Sequence, residues 1–140
     1  MPRYTAARVL LAPPADVWAF LADPYNLGDW WPGVSGVAPD RRGLSAGARW
    51  KVLGPDRPSY FRKPQMTGTL LVLDVVPMQR FAFQLTGDRI EVEVTMRPVE
   101  ENRTEVALAV EGPMLIGLRR RLPVQAVARL HSLLRTGEDA

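Results

Sequence analysis

Residues 89–97 read Arg-Ile-Glu-Val-Glu-Val-Thr-Met-Arg, and this stretch decides the fold. Ile90, Val92, Val94 and Met96 alternate with Arg89, Glu91, Glu93, Thr95 and Arg97. Successive side chains of a strand point to opposite faces, so a strict period of two makes one apolar face and one polar face. The pattern returns downstream, where Thr104, Val106, Leu108 and Val110 alternate with Arg103, Glu105, Ala107, Ala109 and Glu111. Only Pro98 to Asn102 separates the two runs. We read that segment as a turn, and a connection so short makes the strands antiparallel.

Working outward, Gly87-Asp88 is a tight-turn signal. Arg80 to Thr86 before it places Phe81, Phe83 and Leu85 on one face. Pro77-Met78-Gln79 is a further turn, and Thr67 to Val76 is a long apolar strand. Residues 48–53 alternate, with Ala48, Trp50 and Val52 on one side, and Gly54 to Pro64 is a proline-bearing loop. At the N-terminal end, residues 3–11 read as a strand that Ala12-Pro13-Pro14 closes. Val17, Trp18, Phe20 and Leu21 then recur at helical spacing until Asp23-Pro24, because the residue before a proline disfavours the α region. Tyr25 to Trp31 accommodates another helical turn, which Pro32-Gly33 breaks.

Beyond Gly112-Pro113, Met114 to Thr136 reads as a long amphipathic helix. Leu115, Leu118 and Leu122 form one stripe, and Val127, Leu130 and Leu134 the next. Pro123 lies between them and is expected to kink or split the helix. A sheet with one apolar face needs a cover, and this helix is the one element large enough. The class is therefore α+β, with about six to seven strands, two short helices after the first strand and a long C-terminal helix. All 140 residues are expected to make a single domain.

Composition excludes several functions. There is no cysteine, hence no disulfide framework, zinc-thiolate site or thiol nucleophile, which agrees with a reducing cytoplasm. The apolar part of the N-terminus, Val9 to Ala12, is too short for a signal-peptide core. No apolar run approaches the roughly 20 residues that span a bilayer, so no transmembrane segment is expected. Net charge is +3, yet most of the arginines alternate with acids or sit in loops, which does not suit a nucleic-acid interface. Arg119-Arg120-Arg121 is the exception, as a solvated helix face or a weak contact for anionic lipid headgroups. Oligomeric state is not legible.

The stretch Leu11-Ala12-Pro13-Pro14-Ala15-Asp16-Val17-Trp18-Ala19-Phe20-Leu21-Ala22-Asp23-Pro24 resembles the opening of the START-like superfamily. More narrowly it is similar to the polyketide cyclase/dehydrase and lipid-transport (SRPBCC-type) group. Trp30-Trp31-Pro32-Gly33-Val34, Gly47-Ala48-Arg49-Trp50, Gly68-Thr69-Leu70, Phe81-Ala82-Phe83 and Thr104-Glu105-Val106 resemble its later segments. The resemblance implies a helix-grip fold, a sheet wrapped around the C-terminal helix with a cavity between them. Members bind lipids, hormones, polyketides or other apolar molecules. Some catalyse cyclisation or dehydration, and others act as assembly partners. No shared catalytic signature carries over, and fold alone does not fix function.

From the strand phase and the resemblance together, Trp31, Trp50, Phe83, Met96, Leu118 and Leu122 are the expected walls of a ligand cavity. His131 is the candidate polar anchor. It is the one histidine in the chain, so no metal site of the usual kind is expected, and no cofactor motif is present. Glu91 and Glu93 fall opposite the core, on a face expected to carry Arg89, Arg97, Arg103 and Glu105 as cross-strand partners. Adjacent residues of one element point apart, so Trp30 and Trp31 are expected to divide, one packed and the other at a pocket mouth or on the surface. The expected function is binding of an apolar small molecule or lipid. The rivals are a cyclase/dehydrase-type enzyme and a non-enzymatic assembly or regulatory partner. An enzyme needs convergent ionisable groups, for which the sequence offers His131, Asp29 and Arg49.

Overall fold

Seven strands form one curved antiparallel sheet in the computed structural model, which describes residues 3–31, 36–41, 43–53, 66–86, 89–112 and 121–134. They are β1 (Arg3–Leu10), β2 (Gly36–Ala38), β3 (Arg49–Leu53), β4 (Met66–Val76), β5 (Arg80–Leu85), β6 (Ile90–Glu100) and β7 (Arg103–Glu111). Their order across the sheet is β1-β7-β6-β5-β4-β3-β2. The chain therefore meanders from β2 to β7, and β1 closes onto β7. Helices α1 (Pro14–Leu21) and α2 (Leu27–Trp30), with a 3-10 turn at Pro24–Asn26 between them, follow β1; α3 (Leu122–Leu133) follows β7. This is the helix-grip arrangement.

The period of two holds where it was clearest. Ile90, Val92, Val94 and Met96 of β6 and Val106, Leu108 and Val110 of β7 are all buried. Register groups the buried face into rows across the strands. Trp50, Leu70, Leu85 and Ile90 make the first; Val72, Phe83, Val92 and Val110 the second; Val75, Phe81, Val94 and Leu108 the third. Met96 and Val106 begin a fourth. Between Val72 and Asp74 of β4 the register shifts. Such a bulge resets the alternation, so Leu73 is exposed while Val75 returns to the core.

Three expectations change. Pro98 does not begin the turn after β6, because the strand continues to Glu100 and Pro98 pairs with Thr104. A register shift between Pro98 and Glu100 accommodates a residue that has no N–H to give, at an exposed strand end. The turn proper is Glu101-Asn102. Second, Pro123 lies in the first turn of α3, where its missing N–H has no partner to lose, rather than inside a helix; the residues before Arg121, on which the expected kink or split depends, lie outside the described residues. Third, α3 ends at Leu133 rather than Thr136. The first half of the expected helix, with Leu115 and Leu118, lies outside the described residues, as do Gly54 to Gln65 and Gly87-Asp88.

α3 packs on β1, β7 and α2, while α1 packs on β6 and β7. Val17 and Leu21 are the buried positions of α1, one turn apart, and Pro123, Ala126, Val127 and Leu130 those of α3. The hydroxyl of Thr104, fully buried, donates to the Ala12 carbonyl at 2.9 Å and ties β7 to the exit of β1. Among the described residues, no helix is long and apolar enough to cross a membrane.

Candidate functional site

The segment after α1 places the tryptophan pair. Asp23 Oδ1 accepts from the Tyr25 N–H at 3.0 Å, which caps the 3-10 turn. Asn26 Nδ2 donates to the Phe20 carbonyl at 3.1 Å, adding to the Asp23 N–H that reaches the same oxygen at 3.4 Å at the end of α1. α2 follows at once and sets Leu27 and Trp30 inward. Trp31 is its C-cap and turns to extended backbone, with φ −94° and ψ 120°.

That change of backbone corrects the expectation that the pair divides. Trp30 and Trp31 are both 1% exposed, and their rings meet edge to face at 6.0 Å and 84°. Adjacent side chains point apart within a regular element, and here the element ends between them. Trp31 in turn meets Phe83 edge on at 5.9 Å, Phe83 stacks with Phe81 at 5.9 Å, and Phe81 meets Trp18 edge on at 6.0 Å. Phe81 and Phe83 share a face because they are two positions apart on β5, with Ala82 between them. Five rings thus form one row from α1, across β5, to α2. Edge-to-face and offset pairs place positive ring edges against negative faces and contribute about 0.5–1.5 kcal/mol each beyond burial.

Of the expected wall residues, Trp31 and Phe83 are in contact within this row. Trp50 is buried in the first register row, and its Nε1 donates to the Gly43 carbonyl at 2.9 Å. Gly43 has φ +60°, a conformation that favours glycine. Met96 is buried in the fourth row, six residues along β6 from Ile90, or about 20 Å at roughly 3.3 Å per residue. Trp50 and Met96 therefore stand near opposite ends of the buried face. Leu122 is half-buried against the core at the start of α3. His131 is half-buried near the end of α3 and has a partner. Leu118 lies outside the described residues.

One polar atom in the row stands out. The Nε1 of Trp30 is buried and has no hydrogen-bond acceptor among the described residues. Sequence reasoning had weighed Trp30 only as a packing residue or a rim residue. The signal available was its place beside Trp31, but the missing acceptor depends on three-dimensional neighbours.

Polar chemistry is otherwise kept off the buried face. Among the described residues, Thr104 is the one buried polar side chain. Asp29 and Arg49 are exposed, off the buried face. Glu93 lies on the outer face, as expected, between Arg3 at 3.5 Å and Arg80 at 3.6 Å. Arg3 also reaches Glu111, Arg80 reaches Asp74 at 2.8 Å, and Arg97 pairs with Glu105 at 2.7 Å. Arg89 departs from the expected ladder, because it lies in the turn before β6 with φ +57°. Arg103 donates to the neighbouring Asn102 carbonyl. No group of three potential metal-ligating side chains comes together among the described residues.

The sheet order, the short helices after β1 and the apolar buried face match a known group over nearly the whole chain. The model of the family described as polyketide cyclase/dehydrase and lipid transport matches residues 1–133. The chain belongs to that family. None of the curated proteins matches it. Solved structures share the family's fold at low identity. XoxI from Bacillus cereus superposes with a TM-score of 0.74 at 12% identity, covering 100% of both chains. A Chromobacterium violaceum protein gives 0.65 at 20%, covering 95% of this chain and 96% of the other. DynU16, from the dynemicin biosynthetic locus, gives 0.66 at 21%, covering 96% of this chain and 48% of its own. Likeness at these identities is evidence of fold alone.

Proposed function

We propose that this member of the polyketide cyclase/dehydrase and lipid transport family binds an apolar small molecule or lipid against the buried face of its sheet. The chain acts as one ligand-binding unit, with the site centred on Trp31 and Phe83 and bordered by Leu122. The observation that carries this reading is the row Trp30–Trp31–Phe83–Phe81–Trp18. It presents flat, rigid apolar surfaces drawn from three elements, the material of small-molecule pockets. Trp50, Met96 and His131 belong to the outer parts of the same surface, where an extended ligand would reach them. Binding is favoured over cyclase or dehydrase catalysis because Thr104 is the sole buried polar side chain among the described residues, and its hydroxyl is committed to Ala12. General acid/base work ordinarily needs an acid and a base placed together at the reacting atoms, and no second ionisable group is buried beside His131 among the described residues.

Titration calorimetry and native mass spectrometry with flavone and methyl palmitate test the proposal. Micromolar binding of either, about −8 kcal/mol, is expected. Phe83→Asp in a variant shown to remain folded should weaken binding, because the apolar site would have to bury a charge. No binding of either probe by the wild-type protein would sink the proposal.

A further inference from the structure

We propose that Trp30 is the polar anchor of the ligand site, its indole N–H donating a hydrogen bond to an uncharged carbonyl-class oxygen on an otherwise apolar ligand. This rests on the binding function proposed above and names the chemistry of what is bound.

The two buried tryptophans whose indole nitrogens can be followed differ sharply. Trp50 is 3% exposed and its N–H is bonded to Gly43. Trp30 is 1% exposed and its N–H meets no acceptor among the described residues. A buried donor left unmade loses the hydration it had in the unfolded chain and gains nothing in return. Buried tryptophans ordinarily find a partner for this atom. A phenyl ring would supply the aromatic contact with Trp31 without that cost, so the indole nitrogen is the part of Trp30 that packing does not explain.

The donor also restricts the ligand. An indole N–H donates and never accepts, so the ligand must present an acceptor. That acceptor should be neutral, because no cationic side chain is buried among the described residues to meet an ionised carboxylate. A desolvated and unpaired carboxylate is strongly disfavoured. Ketones, quinones and esters fit this description, and free fatty-acid anions do not. Trp30 sits at one end of a ring row that is closed in this structure, with Trp30, Trp31 and Phe83 each 1% exposed, so a planar carbonyl compound must part these rings for its oxygen to reach the indole.

Two probes of nearly the same shape isolate the bond: flavone, an aryl ketone, and 2-phenylnaphthalene, which lacks oxygen. In 1H–15N spectra of the wild-type protein, assigned through the backbone, flavone should move the Trp30 indole proton downfield and 2-phenylnaphthalene should not. Trp30→Phe should cost flavone about three- to tenfold in affinity, the worth of one hydrogen bond, and leave 2-phenylnaphthalene unchanged. The wild-type spectra decide the matter even where the variant folds poorly. Methyl palmitate should bind more tightly than palmitate at pH 8, and the reverse order overturns the uncharged acceptor. If both aromatic probes bind but the indole proton stays still, the anchor is overturned while the binding function stands. The same follows if that proton already resonates in a bonded position without ligand, held by a buried water. If flavone, 2-phenylnaphthalene and methyl palmitate all fail to bind, both proposals fall together; if methyl palmitate alone binds, the binding function stands and the same indole proton, followed with that ester, decides the anchor.

Discussion

Phe83→Ala tests whether the ring row is packed as described. Phe83 is 1% exposed, touches Trp31 edge on and Phe81 face on, and stands between Val72 of β4 and Val92 of β5's other neighbour, β6. Truncating a core phenylalanine to alanine costs about 3–5 kcal/mol, from lost transfer energy and the cavity left behind. Two ring contacts of about 0.5–1.5 kcal/mol each place this site in the upper part of that range, at about 4–5 kcal/mol. A domain of this kind has a total stability of about 5–15 kcal/mol, so about a quarter or more is at stake. Unfolding entropy near 2.1 cal/mol/K per residue over 140 residues converts 1 kcal/mol into about 3 °C, for a fall in Tm of roughly 15 °C. Urea unfolding followed by tryptophan fluorescence and by circular dichroism measures the loss. Val99→Ala, at an exposed position of β6, is the control and should change stability by less than about 0.5 kcal/mol. A loss below about 1 kcal/mol for Phe83→Ala, or a loss equal to the control, refutes the packing.

Thr104→Val should destabilise by about 1–3 kcal/mol in the same urea assay, because the Ala12 carbonyl loses its buried donor; an unchanged midpoint would show that the bond contributes nothing. Native-state hydrogen exchange should find the amides of Val92 and Val94, in the sheet interior, among the slowest of the chain; rapid exchange there contradicts the sheet order. Chelator should leave the melting temperature unchanged, on the strength of one histidine and no cysteine; a fall of several degrees would reveal a metal site.

Most of the fold was legible because side-chain period is a local property. The apolar positions marked by the alternation in β6 and β7 are all buried, and Ala109, on the opposite face, is buried as well. Legibility failed where backbone irregularity intervened. Pro98 carries a strong local turn signal, but the ladder with Thr104 and the shift beside it extend β6 past it. The bulge in β4 has no mark among consecutive apolar residues, so the exposure of Leu73 could not be read. The site was legible in its ring residues and not in its arrangement. Phe81 and Phe83 declare a shared face by spacing alone. That Trp30 and Trp31 are buried together depends on α2 ending between them, and a four-residue helix gives almost no periodic signal. The Trp30 N–H was beyond reach for a different reason, since its lack of an acceptor is set by the fold and not by its neighbours in sequence.

β1 also bears on the order of events during synthesis. Its partner in the sheet is β7, and the Arg3–Glu111 pair joins residues 108 apart in sequence. At about 5–20 residues per second a ribosome needs roughly 5–20 s to make that interval. The hairpins of β4 to β7 close in about microseconds once their residues are free. Closing so long a loop is penalised until the partner edge exists. The earliest strand to leave the ribosome is thus the last to find its neighbour. Pulse-labelled exchange during refolding should protect Val92 and Val94 before residues 4–10, and simultaneous protection would contradict that order. Until β1 arrives, the edge of β7 stands open, which makes the interval before its docking the time when a nascent chain is most exposed to pairing with another.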